Sequence, residues 1–188
     1  MSPTKIRRRV IEQGRLWLML SATFLVFGFM ISPVAAEPEL VNTFQDWKVY
    51  VDGEAGNKIC YALSEPIDMR PARVNRGEVA LMVANRPAEG VRNEVSVRAG
   101  YIYKKTSRPY ASVGNKSYQL FTGVRDGGER AHWAWVQDLK VEKNLITAMK
   151  KGSSLTVKGT SSRGTLTTDR YSLSGISRAI AAIDDACR

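Results

Sequence analysis

The residues able to do chemistry in this chain are few. One histidine, His132, and two cysteines, Cys60 and Cys187, stand among 188 residues. His132 and Asp138 can be drawn with any of several serines as a base–acid–nucleophile set. The plainer reading makes His132 a polar strand position beside Trp133 and Trp135. No Gly-x-Ser-x-Gly elbow and no phosphate-loop spacing accompanies it. A metal centre needs three or four convergent ligands, and with a single imidazole it would have to be built from carboxylates. The expectation is therefore no catalytic residue, no metal and no cofactor. The alternative is an envelope hydrolase with His132 as general base.

Binding chemistry is better supplied. Trp133 and Trp135 are two apart, hence on one face of a strand. Exposed, they form a platform for a sugar ring or a partner's apolar patch; buried, they are core. Lys104, Lys105 and Arg108 make a basic loop beside Tyr101, Tyr103 and Tyr110. That mixture suits an acidic polysaccharide or an anionic headgroup, or it is a solvated loop that keeps the protein soluble. The turn Ser161-Ser162-Arg163-Gly164 offers hydroxyls, backbone N–H groups and an arginine to a small anion, although a plain hairpin uses the same residues.

The chain begins as an export signal. Lys5, Arg7, Arg8, Arg9 and Arg15 precede an apolar run over residues 16–31, and Ala36 ends a small-residue cleavage site. The run is slightly short of a membrane span, the competing reading. Arg7-Arg8 weakly suggests twin-arginine export, and no cysteine follows the run to carry a lipid. Residues 1–36 hold five basic residues and one acidic residue, so the formal net charge of +10 falls to +6 after cleavage. What remains is modest and does not argue for nucleic acid. An exported protein oxidises its thiols, so Cys60 and Cys187 are expected to form a bridge across 127 positions. Chain entropy assigns such a loop about 5 kcal/mol, and bridges usually deliver about 2–4. A bridge between two copies through the near-terminal Cys187 is the alternative.

Residues 37–188 are expected to form a single domain. Strands are predicted over 43–51, 58–64, 78–86, 93–103, 118–122 and 131–136, separated by Gly/Pro turns. Residues 66–76 read as a basic, proline-marked loop. Val141, Leu145, Ile146 and Met149 fall at helical spacing before Gly152. A hairpin over 153–160 and 165–173 leads to a C-terminal helix whose stripe is Ile176, Ile180, Ile183 and Cys187. The fold class is all-β, sandwich or barrel-like and mainly antiparallel, with a short internal helix and a C-terminal helix.

Several blocks carry a resemblance. Ala148-Met149-Lys150-Lys151-Gly152, the stretch 159–165, Asp169-Arg170-Tyr171-Ser172-Leu173-Ser174-Gly175 and the terminal Ala186-Cys187 are similar to the invasion-associated locus B family of bacterial exported proteins. Phe44-Gln45-Asp46-Trp47-Lys48-Val49, Asn93-Glu94-Val95-Ser96-Val97 and Gly100-Tyr101 fit its opening and middle. Members often carry a cysteine soon after the opening tryptophan; Tyr50 and Val51 stand there in this chain. The resemblance implies a small secreted or periplasmic β-rich protein, linked in some members to entry into host cells, and it implies no catalytic residues. The function expected is an exported, non-enzymatic binding or envelope protein. Its partner would be a protein, a glycan or an anionic surface, not nucleic acid, with membrane contact only through the signal segment. An outer-membrane structural role is disfavoured, because no strand carries the alternation of a barrel wall.

Overall fold

The computed structural model describes residues 37–188 apart from Ala55. The signal segment expected over residues 1–36 lies outside the described residues.

Among the described residues, twelve strands and two α-helices follow in order: β1 (Glu39–Phe44), β2 (Trp47–Asp52), β3 (Ile59–Ser64), β4 (Asp68–Arg70), β5 (Ala80–Arg86), β6 (Val91–Arg98), β7 (Tyr110–Val113), β8 (Lys116–Gln119), β9 (Phe121–Thr122), β10 (Trp133–Trp135), α1 (Leu139–Lys151), β11 (Ser154–Thr160), β12 (Leu166–Ser172) and α2 (Ile176–Ala186). They form two antiparallel sheets. One has seven strands in the order β1-β2-β3-β5-β6-β10-β9; the other has five, β4-β12-β11-β7-β8.

Helix α2 forms because Ile176, Ala179, Ile180 and Ile183 share one buried face. That face lies on β1, β2, β3 and β5, while α1 lies against β6 and β7. The covered side of the seven-stranded sheet carries Trp47, Val49, Ala62, Val83, Val95 and Val97, all buried. The indole N–H of Trp47 donates to the Ser172 carbonyl across the two sheets at 3.1 Å. Cys60 and Cys187 are bonded, with Cα atoms 5.9 Å apart, so the last turn of α2 is fastened to β3 as expected.

Several boundaries differ from the expectation. The segment 43–51 is two strands, because Gln45 takes a positive φ of 55° and reverses the chain into a hairpin. The basic loop contains β4, which adds to the edge of β12. The strand predicted over 93–103 ends at Arg98. Gly100 turns at φ 71°, and Tyr103 crosses to bridge Ser161, just past the end of β11. Residues 118–122 are likewise split at buried Leu120, with β8 in one sheet and β9 in the other.

Candidate functional site

Trp133 and Trp135 are not core residues. Between them Ala134 is fully buried opposite Val97, and strand alternation turns both indoles to the side of the sheet away from the helices. Register places Lys48, Leu63, Met82, Ser96, Trp135 and Phe121 in one row across six strands of that side. An adjacent row brings Tyr50 against Tyr61, stacked with ring centroids 5.2 Å apart. The tryptophans stay half-buried because arginines lie over them. The Arg98 guanidinium is 6.0 Å from the Trp133 ring and that of Arg130 is 5.3 Å from the Trp135 ring. Both arginines are held by carboxylates, Arg98 by Glu78 and Glu129, Arg130 by Asp126. The result is a surface of alternating aromatic, aliphatic and guanidinium groups.

Phe121 carries this surface into a groove of about 560 Å³ that is also lined by Lys105, Arg108, Gln119, Arg125 and Gln137. No carboxylate lines the groove, and Lys104, Lys105, Arg108 and Arg125 make no salt bridge among the described residues. Of the three tyrosines expected beside the basic loop, only exposed Tyr110 stays near it, directly across from Gln119. Tyr103 is core, and Tyr101 donates to or accepts from Thr167 at 2.7 Å on another side of the molecule.

The turn residues Ser161, Ser162 and Arg163 line a second cleft, of about 570 Å³, together with Arg73, Arg76, Tyr101 and His132. Most of the turn's backbone N–H groups are already engaged. The N–H groups of Ser161, Ser162, Gly164 and Thr165 donate to protein oxygens, the last to the Ser161 hydroxyl. An anion would therefore meet side chains there rather than a cradle of amides.

Among the described residues, no hydrogen bond joins His132 to Asp138. Asp138 is the N-cap of α1, its Oδ1 accepting from the N–H groups of Lys140 and Val141 at 2.8 and 2.9 Å. His132 closes a one-turn helix, Gly128–His132, and lines the cleft.

Two buried charges escaped the sequence reading. Glu142 sits on the buried face of α1 with Leu145, Ile146 and Met149, and its Oε1 accepts the Val95 N–H at 2.8 Å. Loss of solvent pushes its carboxyl up to about 7, against the pull of the Val95 N–H. Asp169 lies on β12 between Thr167 and Tyr171, all three buried, and takes a 2.6 Å salt bridge from Arg76. Burial raises the Asp169 carboxyl and Arg76 opposes that rise; burial also raises the Tyr101, Tyr103 and Tyr171 phenols. Both carboxylates had a signal: each occupies the buried phase of its element's own periodicity.

A family model for invasion associated locus B (IalB) protein matches residues 47–184. The chain belongs to the IalB family. The solved structure of invasion associated protein B from Bartonella henselae is similar to this IalB-family chain, with a TM-score of 0.54 and 16% identity, covering 80% of this chain and 98% of that one. At that identity the likeness is one of fold, and it agrees with the two antiparallel sheets and the C-terminal helix described above. No curated protein sequence matches the chain. No helix among the described residues is long and apolar enough to cross a membrane.

Proposed function

We propose that this IalB-family member is an exported, non-enzymatic binding protein of the cell envelope. Cleavage after Ala36 would release it to the periplasm or the medium. It engages a protein partner that presents acidic side chains beside an apolar strip, and in this way contributes to association with host cells. One observation carries the reading: Trp133, Trp135 and Phe121 lie on the helix-free side of the seven-stranded sheet and run into a groove of uncompensated cations.

The choice of a protein over a sugar rests on the arginines. A sugar stacks on an open indole face, whereas here guanidiniums lie over both indoles. Trp, Tyr, Arg, Met and Phe, the residue types gathered here, are those enriched at protein interfaces and their energetic centres. The cations Lys105, Arg108 and Arg125 then select acidic partners and speed encounter.

A random copolymer of glutamate and tyrosine is a defined probe. It is expected to bind the purified protein saturably and to shift tryptophan emission, with polyglutamate weaker. Trp135→Ala, and separately Lys105→Glu with Arg108→Glu, should each weaken binding tenfold or more with melting temperature retained. No binding, or binding indifferent to these changes, removes the proposal. Equal binding of heparin that survives Trp135→Ala would assign the groove to glycans instead. His132→Ala with Asp138→Asn should leave binding intact; loss of activity in cells with the fold preserved would favour the hydrolase.

A further inference from the structure

The second cleft is a separate matter from the Trp133/Trp135 face. Its lining holds Arg73, Arg76, Arg163 and His132 among hydroxyl groups of Ser162, Thr165 and Tyr101, and no carboxylate. Arg73 and Arg163 are exposed and make no salt bridge among the described residues. Two arginines that line one cleft without counter-charge raise its positive potential, and a bound anion relieves it.

Arg76 adds an independent sign. Its side chain is only 5% exposed, yet it forms part of the cleft wall. One nitrogen, Nη2, is on Asp169, and the guanidinium carbon lies 5.4 Å from the centre of the Tyr101 ring. Its Nε and Nη1 find no acceptor among the described residues; Asp169 Oδ1 finds no donor there, and Tyr171 Oη has no partner. Native interiors rarely leave so many polar atoms of one cluster unpaired. The cluster thus holds more spare donors (Arg76 Nε and Nη1, the Tyr171 hydroxyl) than spare acceptors (Asp169 Oδ1), beneath a wall that carries two arginines without salt bridges.

We infer that the cleft between residues 73–77 and the turn at Ser161–Arg163 binds a phosphate or sulfate ester carried on a sugar. The guanidinium fork matches the oxygens of a tetrahedral ester. A volume of about 570 Å³ exceeds the needs of a bare ion, and hydroxyl-bearing walls suit a polyol. Gly77 and Gly100 set the depth of the cleft. The Gly77 N–H donates to the Gly100 carbonyl at 2.8 Å, and a Cβ on Gly100 would overlap the Gly77 carbonyl. Oxygens of the ester accept from Arg73 and Arg163, and Arg76 supports them from beneath.

Calorimetric titration of the purified protein with glucose 6-phosphate, glucosamine 6-sulfate, glucose, inorganic phosphate and inorganic sulfate tests the inference. Both esters are expected to bind saturably, tighter than either inorganic ion, and glucose not at all. Arg73→Ala and Arg163→Ala lie on exposed side chains, so the fold should survive. Together they should weaken the esters tenfold or more, while Lys105→Glu with Arg108→Glu changes nothing. The amide resonances of residues 73–77 and 161–167 should move on titration. No binding at millimolar ester, affinity no better than that of the inorganic ions, or loss through the Lys105/Arg108 pair instead would each overturn it. The last result would reassign the ester to the groove without touching the case for the copolymer.

Discussion

Glu142 makes stability depend on pH in a direction opposite to that of an ordinary salt-bridged carboxylate. Its carboxyl is raised from 4.5 to about 7, first by burial and then by Glu94, against the Val95 N–H and Arg86. The folded protein thus keeps a proton that the unfolded chain releases near 4.5. The resulting stabilisation is complete below that value and is lost as pH rises through about 7. Each tenfold in proton affinity is worth about 1.4 kcal/mol, so the interval sets a ceiling of about 3 kcal/mol between pH 4.5 and 7. For a domain of this size that is about 6–12 °C in melting temperature. Glu142→Gln keeps an oxygen to accept the Val95 N–H and removes the charge. Thermal unfolding with the disulfide intact, at pH 5 and pH 8, should show wild type and variant close together at the lower pH. At pH 8 the variant should be the more stable. Other groups titrate over the same range, but they are common to both proteins and cancel in the difference. Parallel pH profiles for the two would refute the reasoning.

Cys60→Ser or Cys187→Ser opens a loop of 127 residues, and urea unfolding should register a loss of about 2–4 kcal/mol. Wild type should run as a compact monomer without reductant; a dimer band that vanishes on reduction would contradict the intrachain bridge. Asp138→Ala leaves two N–H groups of α1 uncapped, and chemical unfolding should register a loss of about 1 kcal/mol. Asp138→Asn, also a good cap, should recover most of it, a recovery that a purely charge-based role would not permit.

Much of the fold was legible in the residues. The hairpin of β11 and β12 and the stripe of α2 were plain, because period two and period 3.6 are local properties of apolar spacing. The closing of Cys60 on Cys187 followed from the chemistry of an exported chain with two thiols. The misplaced boundaries share a cause. Gln45, Gly100 and Leu120 are points where the chain reverses or changes sheet, and local pattern does not say which sheet a strand joins. For the same reason β4 and β7 were missed: both are short, and they are strands because of what they pair with, β4 with β12, and β7 with β11 and β8.

The candidate sites divide in the same way. The spacing of Trp133 and Trp135 settled that they share a face, since side chains alternate along any strand. Which face that is was decided by the helices, which cover the side bearing Val97 and Ala134 and leave the indoles to arginines. The turn at Ser161–Arg163 named itself by composition. Its partners Arg73, Arg76 and His132 stand about 30 to 90 positions earlier, brought to it by pairings between distant strands. Residue types and periodicities are carried by the chain in order. Burial, charge compensation and the meeting of remote side chains arise only when the sheets close on one core.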